Sequence, residues 1–283
     1  MKKALSIIMA GVLAASLTIG ASAVYEAEKD LQKVAFEIKK ARVEQKFDGK
    51  VTDGEYYKVD LKDSWFSYAA NKDTDIETAK NLKPELYMSW DEKGVNIYTS
   101  YSISKDRYIQ TQDAGNIWSE SCIQVSAAAA TDTGTTRLEY GIAKSSKDNA
   151  FIGNVWAQLI GTYTPTEGKN AFVDYIDGKL VYETKIPWEN ILKDTNVSEG
   201  SQFGLNLVWS SGTSANYIHT QLASGCTGDP GKKADNFAKV TLAAAPKVVE
   251  KPAAAETADV VSLTVAALAV SAAAAIIVAN RKH

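Results

Sequence analysis

Trp118-Ser119-Glu120-Ser121-Cys122-Ile123-Gln124-Val125-Ser126 turns into strict alternation over its second half. Ile123 and Val125 fall on one side of an extended chain, and Cys122, Gln124 and Ser126 on the other. A tryptophan leads into this strand. A flat apolar ring beside amide and hydroxyl groups suits a sugar, whose C–H faces stack on aromatics while its hydroxyls take hydrogen bonds. A ring that caps the core, with Gln124 facing water, is the simpler alternative. The rest of the chain decides between them.

The same period of two recurs on both sides. It runs through Val34/Phe36/Ile38, Leu86/Met88/Trp90, Val95/Ile97/Thr99/Tyr101/Ile103, Leu138/Tyr140/Ile142, Leu180/Tyr182/Thr184/Ile186 and Phe203/Leu205/Leu207/Trp209. Asp48-Gly49, Asp91 to Gly94, Asp132-Thr133-Gly134 and Asp177-Gly178 supply turns between them. No helical period longer than two or three turns interrupts the series. The pattern predicts one all-β domain over residues 34–243, an antiparallel β-sandwich of the jelly-roll or immunoglobulin-like kind. Trp90, Trp188 and Trp209 are expected in its core. Trp65 and Trp156 fit core, rim or a second aromatic platform.

The ends of the chain read as address labels. Lys2 and Lys3 precede an apolar run that closes on Ala21-Ser22-Ala23, the pattern of a secretory signal peptide over residues 1–23. Residues 24–33 form a charged lead, read as a short helix or a disordered segment. Residues 244–259, rich in Ala, Pro, Lys and Glu, read as an extended linker. Residues 260–280 follow as an apolar span long enough to cross a bilayer, and 281–283 as a basic cytoplasmic end. This layout resembles the sorting signals of Gram-positive surface proteins, without a Leu-Pro-x-Thr-Gly motif. A retained membrane anchor and exchange for a cell-wall linkage both fit such a tail. The expected place is the bacterial cell surface, with the sandwich outside.

Setting aside Lys2, Lys3, Arg281 and Lys282 leaves 27 basic against 34 acidic residues, a formal charge of −7. Such a balance repels phosphate backbones and argues against a nucleic-acid partner. Cys122 and Cys226 are the two cysteines. A disulfide between them, which would stabilise by up to ~4.7 kcal/mol, and two free thiols both fit.

Five stretches, taken together, resemble family 9 carbohydrate-binding modules and the wider DOMON-like sandwich group. They are Phe47-Asp48-Gly49-Lys50-Val51-Thr52-Asp53-Gly54-Glu55-Tyr56, Leu86-Tyr87-Met88-Ser89-Trp90-Asp91, Trp118 to Val125, Tyr182-Glu183-Thr184-Lys185-Ile186-Pro187-Trp188, and Lys232 to Leu242. The resemblance covers residues 38 to 243 and implies a monomeric module that binds poly- or oligosaccharide without cleaving it. It makes Trp118 one sugar platform, Gln124 a hydroxyl-binding group and Arg137 the arginine on the next strand. Independently of the family, Gln124 and Arg137 are both out of phase with the apolar residues of their strands, so both point away from the core. Ser121 and Gln124 stand where the family pattern has acids, and the loop from Ser224 to Gly231 lacks the second clamp tryptophan. Tyr217 is the candidate to replace it.

Other chemistries find less support in the residues. His219 is the lone histidine outside the tail, which leaves a Ser-His or Cys-His nucleophile without a motif. Some DOMON-like sandwiches hold haem through Met and His, here Met88 and His219. Met88 shares the apolar phase of Leu86 and Trp90, which suits packing better. Asp73, Asp75 and Glu77 have the alternating spacing of a calcium loop without its glycine hinge, a weak calcium signal, and no other cofactor is expected. A purely structural surface-layer protein is the remaining alternative.

Overall fold

The computed structural model describes residues 24–27, 33–72, 75–132, 138–223 and 233–247. The signal at 1–23, most of the linker, the apolar span at 260–280, the basic end, Asp73, Arg137 and Cys226 lie outside the described residues. Among the described residues, no helix is long and apolar enough to cross a membrane.

Fourteen strands and one short helix follow in order: β1 Val24–Ala27, β2 Ala35–Lys39, β3 Tyr57–Val59, β4 Phe66–Ala70, α1 Ile76–Lys80, β5 Glu85–Asp91, β6 Gly94–Ser102, β7 Cys122–Ala129, β8 Leu138–Lys144, β9 Phe151–Gln158, β10 Ala171–Ile176, β11 Lys179–Pro187, β12 Gln202–Thr213, β13 Asn216–Leu222 and β14 Ala238–Ala243. They form two sheets. The larger runs β1-β4-β13-β12-β7-β8-β9, with β14 joining β12 to β2, and the smaller runs β10-β11-β6-β5-β3. All ladders are antiparallel except β14 with β2. The expected purely antiparallel sandwich therefore gains one parallel pair, made where the two ends of the domain meet. The lead segment also differs from expectation, because Val24–Ala27 extends the large sheet along β4 instead of forming a helix.

Alternation sends one face of each sheet inward. Ile123 and Val125 of β7, Leu205, Leu207 and Trp209 of β12, and Tyr140 and Ile142 of β8 meet Leu86, Met88, Ile97, Tyr101, Tyr182 and Ile186 of the smaller sheet in one core. Trp65, Trp90, Trp188 and Trp209 belong to it. Burial of this kind contributes roughly 25 cal/mol per Å² of apolar surface and supplies most of the drive to fold. Polar pins cross the core as well: Trp209 Nε1 donates to Thr99 Oγ1 at 2.8 Å, and the Tyr140 and Thr184 hydroxyls pair at 2.8 Å. Thr99→Val keeps the shape but leaves the indole N–H unpartnered in a dry site. We expect a loss of about 1–2 kcal/mol, read as a lower urea midpoint with an unchanged slope. An unchanged midpoint would show that the pin carries no net stability.

Over the outer face of the smaller sheet folds the loop at 41–56. Gly49 lets it come close: φ is +77°, and a Cβ there would sit 2.5 Å from Ile176 Cδ1. Its backbone N–H donates to Glu183 Oε1 at 3.1 Å. Glu183 is buried, faces outward from β11 beside Tyr98, and shares its pocket with Glu55 and Tyr56.

Candidate functional site

The larger sheet keeps its polar residues on the side away from the core, and the strand register sorts them into rows. Ala69, His219, Ser210 and Cys122 form one row across β4, β13, β12 and β7. Ser67, Gln221, Val208, Gln124 and Gly141 form the next, reaching β8. Asn206, Ser126 and Glu139 form a third. All of these side chains are buried, Gln124 to 2% exposure and Glu139 to 8%. Gln124 Nε2 donates to Ser210 Oγ at 3.3 Å, which ties β7 to β12.

What lies against this face at the start of β7 is the 3-10 turn Ala114–Ser119. Asp113 opens it, and its carboxylate accepts the backbone N–H of Asn116 at 3.1 Å. Such a cap suits a turn with too few residues to satisfy its own N–H groups. Ile117 points inward and packs with Cys122, Ala143, Ile152 and Trp156. Trp118, the next residue, is half-buried at the margin.

Trp118 is held from β13. His219 Nε2 lies 3.0 Å from the Trp118 carbonyl oxygen. A carbonyl only accepts, so Nε2 carries the proton and the bare Nδ1 is left buried without a partner among the described residues. Burial pushes the imidazole down to about 4, outweighing the hydrogen bond to Trp118 that raises it. His219 is thus a neutral donor at physiological pH. Tyr217 lies edge-on to the Trp118 ring, 5.7 Å between centroids at 71°, and 4.8 Å from the His219 ring. Tyr217 is 5% exposed. Of the predicted set, Trp118, Gln124 and Tyr217 share this face, with Tyr217 placed as a brace beneath Trp118. Arg137 lies outside the described residues.

Sequence reasoning missed Glu139, Gln221, Asn206 and the positioning role of His219. It left Trp156 unassigned. Trp156 stands over Gly141: a Cβ on that glycine would come within 2.5 Å of the indole Cη2 and 3.1 Å of Ile117 Cδ1. Trp156 Nε1 donates to the Gly115 carbonyl at 3.0 Å. A glycine in mid-strand, where it costs stability, is the signal that could have pointed to such a close approach.

Met88 is fully buried in the core on β5, while His219 lies on the outer side of the opposite sheet. A whole sheet separates them, so they cannot ligate one haem. Cys122 is buried at the head of β7, and Cys226 lies outside the described residues. Among the described residues, no group of three or more His, Cys, Asp or Glu side chains is placed to hold a metal ion. Asp75 precedes α1, and Glu77 pairs with Lys80 at 3.1 Å.

No protein-family model matches the chain, and no curated protein matches it. Among solved structures, the chain is similar to a family 9 carbohydrate-binding module from Caldicellulosiruptor kristjanssonii in complex with cellotriose, at 11% identity and a TM-score of 0.46 over 77% of this chain and 99% of that one. It is likewise similar to a family 9 module from the same organism in complex with glucose, at 10% identity and a TM-score of 0.43 over 76% of this chain and 100% of that one.

Proposed function

We propose that this protein is a non-catalytic carbohydrate-binding protein of the bacterial cell surface, holding poly- or oligosaccharide on the outer face of its larger sheet. The observation that carries the reading is the half-buried Trp118 ring, braced by Tyr217 and His219 at the margin of a face floored by Gln124, Gln221, Asn206 and Glu139. An indole offers a pyranose its apolar face. Glu139 is the one carboxylate that the three rows carry among the described residues, whereas glycoside hydrolysis uses a pair. The signal peptide, linker and apolar span of the sequence support display outside the cell. The Gram-positive-type tail supports anchoring.

Intact cells bearing the protein should bind fluorescent oligosaccharides that the purified full-length protein also retains on a printed array. External protease should remove that binding. An array that stays blank would end the carbohydrate reading, and protein that stays intact on cells under external protease would end the reading of display outside the cell.

A further inference from the structure

We propose that Trp156 is a second sugar platform, so that the site takes an extended glycan chain lying across the strands in preference to a single sugar. The inference rests on the carbohydrate reading of Trp118. Both rings belong to one assembly: Trp118 is part of the turn Ala114–Ser119, and Trp156 is bonded to the Gly115 carbonyl of the same turn at 3.0 Å. Both residues are half-buried.

The register separates the strands that the two rings lie against. Trp118 leans on Tyr217 and His219 of β13, and Trp156 lies over Gly141 of β8. From β13 through β12 and β7 to β8 is three strand intervals, about 14 Å at ~4.8 Å each. One pyranose is too short to touch rings set over strands that far apart, and a chain of roughly three covers them. Gln124 lies between, in register with Gly141. A binding face with one platform grips one ring whatever follows it. Two platforms reward length.

An array of oligosaccharides graded from one to six residues tests this with the full-length protein. Wild type should gain about 10–30-fold in affinity between one and three residues and little beyond. Trp156→Ala should lose that gain and keep the monosaccharide affinity, whereas Trp118→Ala should lose both. Trp156→Phe keeps a ring over Gly141 without the bond to Gly115, and should retain part of the gain. Wild-type affinity that is flat with length, with Trp156→Ala unchanged, overturns the inference and leaves the carbohydrate reading intact. Loss of the monosaccharide in both Trp156 variants makes Trp156 a prop for the turn and also overturns it. No binding by wild type at any length removes the carbohydrate reading, and this inference with it.

Discussion

Trp118→Ala should abolish glycan binding while the domain stays folded. Stacking a pyranose on an indole removes ~100 Å² of apolar surface from water, worth ~2–3 kcal/mol. Less the cost of immobilising the sugar, one such platform with its hydroxyl contacts supports a Kd of ~0.1–1 mM. Losing it shifts binding by about 30–150-fold, beyond the reach of most titrations. The fold loses much less. The hydrogen bond of His219 is to the Trp118 main chain, so it survives truncation. What goes is the edge-on packing of the indole on Tyr217 and His219, of which the pair with Tyr217 is worth about 0.5–1.5 kcal/mol. Titration calorimetry and a melting curve on the same sample separate the outcomes. An unfolded variant whose residual folded fraction binds normally would make Trp118 a core residue and put the site elsewhere.

Stability should be flat between about pH 4.5 and 6.5 and fall on either side, because two buried groups titrate against each other. His219 takes up a proton near its ordinary 6.5 when unfolded and only near about 4 when folded. Its contribution is complete above 6.5 and is lost as the pH falls toward 4. Glu183 is the opposite case. Burial first, then the charges of Asp48 and Glu55, push its carboxyl up to about 8, against the pull of the Gly49 N–H. The tyrosines Tyr56 and Tyr98 face it as well. The folded protein keeps a proton that the unfolded chain releases near 4.5, so stability drains away as the pH rises toward 8. At 1.36 kcal/mol per unit, screened by nearby solvent, each group contributes about 2–4 kcal/mol over its full range, of which wild type shows only the part outside the flat window. Glu183→Gln should remove the alkaline limb, leaving stability that climbs to pH 6.5 and stays there. His219→Gln should remove the acid limb, leaving a decline from 4.5 to 8. Urea midpoints across the pH range decide the matter, and variant curves parallel to wild type would refute both assignments.

The strands that sequence made legible are those with one face in the core and ordinary alternation. Leu86/Met88/Trp90, Val95 to Ile103, Leu180 to Ile186 and Phe203 to Trp209 all fall within observed strands or at their ends. β13 escaped because its outward residues Tyr217, His219 and Gln221 are buried too, so exposure no longer tracks polarity along it. β9 escaped because all eight of its residues are half-buried at a sheet edge, and Phe151, Ile152, Val155 and Trp156 keep no single period. The pairing of β2 with β14 joins residues some two hundred positions apart, which no local pattern encodes. At the site, Trp118 and the phase of Gln124 could be read directly. The brace of Tyr217 and His219 could not, because it depends on β13 lying beside β12, and not on any spacing within either strand.

β14 has mechanical consequences. It is the last strand before the linker, and it is gripped on both sides, by β12 and by β2. A pull applied at Ala243 along the strand loads both ladders together, so their hydrogen bonds share the force and must yield in concert. A terminal strand hanging from a sheet edge would instead be peeled off one bond at a time. The connection that would transmit drag from a captured polymer to the cell thus enters the domain at a point built to resist being drawn out.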